Sequence, residues 1–226
     1  MTMAIKLSVS VACLPPARRS EMIALLAGGL VDDLHCDLFG VELGVGIAQS
    51  ELLDLLHTWP HSLSIHQWAT GVPSMVSNLE PTLQRRIIVE LVGNPDIDGP
   101  AVSRAVGAGW QVLIGCRPYL ADAAIDLLRR YDCPGIQLLT TTTPGWAGGS
   151  FVETAWPVVL RLRAALGTKV VELDGGITTD SAIHARSLGC DMVVLGTNAL
   201  GLDDGIRLIP RDLASDQTGL YLTDSR

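Results

Sequence analysis

His35 and Asp37 lie two residues apart in L-H-C-D-L, so an extended chain turns both side chains to one face and Cys36 to the other. His66, in L-S-I-H-Q-W, and Asp174, in V-E-L-D-G-G-I, each close a further short apolar run. Two imidazoles and two carboxylates brought to one point form a mixed set of borderline and hard donors for one divalent metal ion; Zn2+, Fe2+, Mn2+ and Co2+ all suit it. A second group of residues suits an anion. P-G-W-A-G-G (Pro144 to Gly149), D-G-G-I (Asp174 to Ile177) and G-T-N (Gly196 to Asn198) omit side chains where backbone N–H groups would approach a ligand, the usual way of holding a phosphate. Gly145, Trp146, Gly148, Gly149, Gly175, Gly176, Gly196 and Thr197 are accordingly candidate substrate-binding positions.

These residues can meet only if the fold gathers the ends of several strands. Eight apolar or β-branched runs end in turn-forming residues: Ile5 to Ala12, Leu34 to Phe39, Leu63 to Trp68, Ile87 to Leu91, Gln111 to Cys116, Ile136 to Thr140, Lys169 to Asp174 and Met192 to Gly196. Amphipathic segments lie between them, among them Ser20 to Ala27, Gln49 to Thr58, Ala121 to Arg130 and Pro157 to Ala165. Two intervals read weakly as helix: Gly71 to Arg86, with Pro73 and Pro81, and the tail after Gly201, with Pro210. Strands apolar on both faces and alternating with helices predict a parallel sheet. Eight such units predict a closed (β/α)8 TIM barrel, a single α/β domain over residues 1–226 with 202–226 an atypical C-terminal segment. An open doubly wound sheet with a dinucleotide would carry G-x-G-x-x-G after its first strand, where this chain reads S-V-A-C-L-P-P. Active sites of such barrels occupy the C-terminal strand ends, a filter that selects Ser10, His35, Asp37, His66, Glu90, Arg117 and Asp174 with the glycine loops.

Composition narrows the function classes. With 226 residues and 48% apolar content the chain can bury a sizeable core. Sixteen Lys and Arg against 24 Asp and Glu give a net charge of −8, without the clustered cationic face that a nucleic-acid binder needs. No apolar run approaches the roughly 18 residues of a spanning helix. The run after Lys6 stops at Pro15-Pro16 and is followed by Arg18-Arg19, unlike a signal peptide. Five cysteines without a C-x-x-C pair argue against a disulfide framework and for a reducing, cytoplasmic setting. His57, His61 and His184 are expected at the surface, and Arg85-Arg86 and Arg129-Arg130 at solvated helix ends. A homo-oligomer is compatible with all of this.

The motifs resemble those of the ribulose-phosphate 3-epimerase family, metal-dependent (β/α)8 enzymes that interconvert ketose phosphates at carbon 3. The similarity spans roughly residues 4 to 200. L-H-C-D-L is similar to the family's H-x-D second strand, and L-S-I-H-Q-W to its D-x-H-L-M third strand. T-T-T-P-G-W-A-G-G-S-F matches its T-V-x-P-G-F-G-G-Q-x-F loop, V-E-L-D-G-G-I its V-D-G-G-I strand, and V-L-G-T-N-A-L its closing G-S-A-I. The resemblance implies that His35, Asp37, His66 and Asp174 bind the metal, that Asp37 and Asp174 are also the acid/base pair, and that Ser10 contacts substrate, a small phosphorylated sugar. The chain departs from the pattern after Asp37, where L-F-G-V-E-L-G-V-G replaces M-D-G and a longer loop. Phe39, Trp68 and Thr140 stand where family members place methionines around the intermediate.

Inverting a carbon beside a carbonyl needs a base on one face, an acid on the other and a Lewis acid for the enediolate between them. Carboxylates from the second and seventh strands of a barrel can flank such a planar species. Glu172 shares the parity of Asp174 and is expected one layer deeper, supporting a ligand histidine. The expectation is a metal-dependent epimerase of the ribulose 5-phosphate/xylulose 5-phosphate type. The alternatives are an epimerase or isomerase on another sugar phosphate, and a catalytically silent phosphosugar-binding barrel. Decarboxylases and synthases on related barrels would call for a lysine at a strand end, whereas Lys6 and Lys169 begin their strands.

Overall fold

A computed structural model of the chain describes residues 5–38, 47–82, 85–141 and 149–197. Eight strands run β1 (Lys6–Ser10), β2 (Asp33–Asp37), β3 (Ser62–Trp68), β4 (Arg85–Glu90), β5 (Gln111–Cys116), β6 (Gly135–Leu139), β7 (Val170–Asp174) and β8 (Met192–Leu195). The helices between them are α1 (Arg19–Leu26), α2 (Gln49–Thr58), α3 (Val72–Asn78), α4 (Pro95–Gly107), α5 (Ala121–Tyr131), α6 (Ala155–Leu166) and α7 (Thr179–Ser187). Every strand pairs in parallel with the next, and β8 pairs with β1, closing the (β/α)8 barrel expected from the alternation.

Period-two alternation divides the strands into two chemical faces. Outward residues such as Val9, Leu34, Cys36, Ile65, Val89, Ile114, Leu138 and Leu173 join one continuous core with Leu26, Leu52, Val102, Leu128 and Leu162 of the helices. Removing one such side chain from water contributes about 1.5–3 kcal/mol, and this shell stabilises a barrel whose interior is largely polar. Facing inward are Ser8, Ser10, Asp33, His35, Asp37, Ser64, His66, Glu90, Gln137 and Glu172, all buried. Ile88, Leu113, Leu139, Met192 and Val194 are also buried but stand apart from the outer core, on the same inward parity.

Helix α2 and strand β5 occupy the predicted residues. The proline-bearing interval after Gly71 does contain a helix: Pro73 sits in the first turn of α3, where a missing N–H breaks no intrahelical bond. The tail after Gly201 lies outside the described residues.

Arg86 corrects the reading of Arg85-Arg86 as a solvated helix end. It lies within β4, and parity turns its side chain into the lower barrel, where it is only 15% exposed. There it donates from Nε to Ser64 Oγ (2.6 Å), pairs with Glu172, and stands 3.6 Å from Asp33 Oδ2. Asp33 also accepts from Ser8, Ser62 and Ser64 at 2.7, 2.7 and 2.8 Å. A buried arginine persists because two acids and a hydroxyl replace its water.

Candidate metal centre

Strand β2 presents His35 and Asp37 on one face, and the β2–β3 register sets His66 beside Asp37. Asp174, at the end of β7, reaches across the barrel to the same point. His35 Nε2 lies 3.1 Å from Asp37 Oδ1, 3.1 Å from His66 Nδ1 and 3.5 Å from Asp174 Oδ2. His66 Nδ1 is 3.2 Å from Asp37 Oδ1 and 3.7 Å from Asp174 Oδ2. One ligand atom from each of the four residues falls within 4.8 Å of all the others.

This set fits a divalent cation. Ligands held at about 2.1 Å from an ion lie about 3.0 Å apart at right angles and about 3.4 Å apart in a tetrahedron, close to the separations found. The donor chemistry agrees, since two buried ring nitrogens and two carboxylate oxygens converge and acceptor lone pairs at 3.1 Å repel unless a proton or a cation lies between them.

The metal-free electrostatics show the same demand for positive charge. Burial alone would lower the His66 pKa, but hydrogen bonds with Asp37 and Glu90 raise it to about 10. Burial opposes protonation of His35 as well, and the charges of Asp37 and Asp174 prevail to raise its pKa. Despite burial, Asp37 is held far below the ordinary carboxylate range by both histidines, whereas burial pushes Asp174 up. The two carboxylates are thereby driven apart in proton affinity.

Around this cluster, Ser10 donates from Oγ to Asp37 Oδ2 at 3.1 Å, so the serine selected at the end of the first strand does reach the site. Glu90 Oε2 stands 3.4 Å from His66 Nε2, and Arg117 Nε 3.7 Å from Glu90 Oε1. Sequence reasoning placed both residues at strand ends and gave Glu90 no role; its inward parity beside β3 was the available signal. Glu172 is one layer deeper as expected, but its hydrogen-bonding partner is Arg86, with His35 near enough to act on it through space. Cys13, three residues past Ser10, was not singled out, yet its half-buried thiol lies beside Ser10 and the backbone of Thr197.

The glycine loops share this end of the barrel. Gly175 and Gly176 adopt φ of 108° and 68°, and a Cβ on Gly175 would lie 2.6 Å from Thr141 Cγ2 while one on Gly176 would strike the Phe151 backbone. Close approach of the chain to itself accounts for both glycines. Thr140, at the end of β6, donates to the carbonyls of Asp174 and Gly175 (3.0 and 2.6 Å) and so ties β6 to this turn. Gly196 packs against the Cys13 thiol, and the Thr197 hydroxyl is buried with no hydrogen-bond partner among the described residues. Gly149 is described, whereas Gly145, Trp146 and Gly148, like Phe39, lie outside the described residues. His57 and His184 sit on exposed helix faces; His61 is half-buried, bonded to the Ala27 carbonyl. No helix among the described residues is long and apolar enough to cross a membrane.

Comparison with known proteins places this geometry. A curated ribulose-phosphate 3-epimerase of Eremothecium gossypii is 30% identical over 67 residues, which is 30% of this chain and 28% of that protein, so the match spans well under a third of the relative's length. Among solved structures, 3-hexulose-6-phosphate synthase from Salmonella typhimurium superposes with a TM-score of 0.64 at 16% identity, over 93% of this chain and 98% of that one. Orotidine 5'-monophosphate decarboxylase from Sulfolobus solfataricus gives 0.58 at 12% identity, over 87% and 90%. At these identities both are similar in fold alone. The model of the ribulose-phosphate 3 epimerase family, by contrast, matches residues 6–200, the span that carries all four cluster residues and the D-G-G turn, and the chain belongs to that family.

Proposed function

We propose that the protein is an epimerase that inverts carbon 3 of a ketose phosphate of the ribulose 5-phosphate/xylulose 5-phosphate type, with Asp37 and Asp174 as the acid/base pair. The observation that carries this reading is the meeting of those two carboxylates, from strands on opposite parts of the barrel, within 4.8 Å and beside two imidazoles. A divalent ion held by His35, Asp37, His66 and Asp174 would supply Lewis-acid stabilisation of the charge that develops on the substrate oxygens. Asp37 takes or returns the proton on one face of carbon 3 and Asp174 on the other, so that the configuration inverts. Ser10 holds Asp37 through Oδ2 and leaves Oδ1 to the cluster.

Backbone N–H groups of Gly175, Gly176 and Gly196, with the buried Thr197 hydroxyl, hold the substrate phosphate in this reading, and Gly145, Trp146, Gly148 and Gly149 are further candidate substrate-binding positions. The partner is thus a small phosphorylated sugar, not a nucleic acid or a membrane, and the setting is the cytoplasm. A second reading, the same chemistry on a different sugar phosphate, is favoured by the departure after Asp37, where L-F-G-V-E-L-G-V-G replaces M-D-G and a longer loop.

The test is proton exchange in D2O. Protein supplied with Zn2+, Mn2+ or Co2+ is mixed with ribulose 5-phosphate and a panel of other ketose phosphates, and deuterium at carbon 3 is followed by NMR. Incorporation into ribulose 5-phosphate is expected. Incorporation only into another sugar selects the second reading, and no exchange with any sugar despite bound metal rejects both in favour of a silent binding barrel.

A further inference from the structure

We propose that Glu90, held on its far side by Arg117, is a positioning residue for His66: it fixes the ring so that Nε2 carries the proton toward Glu90 and Nδ1 turns its lone pair to the His35–Asp37–Asp174 cluster. The proposal rests on the reading of that cluster as a metal centre.

The two histidines present opposite nitrogens to the cluster. His35 offers Nε2 and His66 offers Nδ1, as their distances to Asp37 Oδ1 require (3.1 and 3.2 Å). Each ring must then place its remaining nitrogen elsewhere in a dry interior. For His35 that atom, Nδ1, is buried with no hydrogen-bond partner among the described residues. For His66 it is Nε2, which faces the buried Glu90 Oε2 at 3.4 Å, an ion-pair separation at which neither atom completes a hydrogen bond until the ring and carboxylate close up around an ion. A ligand histidine is oriented by what its second nitrogen donates to, and a carboxylate there also makes the ring a stronger donor to the ion.

The surroundings of Glu90 fit this task and no other visible one. Its carboxylate is 2% exposed, so it is not a solvated charge. Its two oxygens have different neighbours, Oε2 at His66 and Oε1 at Arg117 Nε. The His66 ring lies between Glu90 and the cluster, which excludes Glu90 from the ligand set itself. On the neighbouring strand Gly115 leaves the lane open, since a Cβ there would come within 2.9 Å of Ile88 Cγ2 and 3.1 Å of Glu90 Cα. Arg117 follows β5 on inward parity and is about one-third exposed, so it supplies the countercharge a buried carboxylate needs without entering the cluster.

The test uses the full-length protein. Long-range 1H–15N spectra of the Zn2+-loaded protein are expected to show His66 protonated at Nε2 and His35 at Nδ1; His66 protonated at Nδ1 would overturn the proposal. In parallel, Co2+ binding is followed by its visible absorption and by competition with a chelator. Glu90→Gln is expected to weaken Co2+ binding by about tenfold to a hundredfold and to shift the absorption bands. Arg117→Met is expected to weaken binding by a smaller factor, and Arg117→Lys to restore it. Should Glu90→Gln fail to fold, the Arg117 pair carries the affinity test. Unchanged Co2+ affinity and spectrum in Glu90→Gln, or in Arg117→Met where that variant stands in, reject the proposal. A wild-type protein that binds neither ion rejects the metal centre and the proposal together, an outcome distinct from failure of the variants alone.

Discussion

Arg86 on β4 and Glu172 on β7 form an ion pair inside the barrel, in the layer beneath His35, with Asp33 as a second acid beside the guanidinium. The pair joins strands that share no hydrogen bonds, and the polar floor it creates carries the site above it. Removing one member strands the other in a dry interior. Arg86→Met is therefore expected to destabilise the protein by about 3–5 kcal/mol, measured by urea unfolding. The double variant Arg86→Met/Glu172→Leu should recover much of that loss, because Asp33 keeps three hydroxyl donors. A double variant no more stable than the single would refute the pairing.

Asp37→Asn and Asp174→Asn should each lower turnover at least about a thousandfold, the combined effect of a lost acid or base and a perturbed ligand set. Rates of carbon-3 deuterium exchange provide the comparison. Near-normal exchange in either variant would sink the two-acid mechanism.

Chelation should abolish exchange, and Zn2+, Mn2+ or Co2+ should restore it. Saturating metal should also raise the melting temperature: a free concentration one hundred times Kd contributes about 2.7 kcal/mol, about 5–10 °C for a chain of this size. His35→Ala should lose the shift, since it removes an atom that lies within 3.5 Å of one donor atom on each of Asp37, His66 and Asp174. An equal shift in that variant would place the metal elsewhere.

Cysteine labelling separates the core from the mouth of the barrel. Burial pushes the Cys116 and Cys190 thiols up to about 12 and Cys133 to about 11. Their thiolate fractions at pH 8 are then on the order of one in a thousand or less, and burial blocks reagent as well. Cys36 is raised strongly for the same reason. Mass spectrometry after iodoacetamide treatment of the native protein should find Cys13 modified first. Labelling at the other four should rise with pH toward their raised values or on unfolding. Early modification of Cys116 would contradict the core described here.

Gly176→Ala should destabilise by about 1–3 kcal/mol, because a side chain there meets both a positive φ and the Phe151 backbone. Thermal unfolding of the metal-free variant measures this apart from any loss of phosphate binding.

The alternation of apolar strands with amphipathic helices was legible in the sequence, and with it the barrel. Gln49–Thr58 and Gln111–Cys116 could be bounded to the residue because periodicity and flanking turn residues agree there. The meeting of two histidines and two aspartates was legible for the same kind of reason. The two-residue spacing of His35 and Asp37 determines a shared face whatever surrounds them, and the strand-end positions of His66 and Asp174 bring them to the same rim once eight strands close. Local pattern failed where an outcome depends on a distant partner. Arg86 beside Arg85 reads as surface charge until closure sets Glu172 and Asp33 against it. Pro73 reads as a break until it falls in a helix's first turn. Glu90 has no assignable role along the chain, because its partners come from β3 and the segment after β5. Spacing thus determined which side chains point into the barrel, while only the tertiary structure decided which of them meet, since shear and closure, not strand parity, set distances between strands that are not neighbours in sequence.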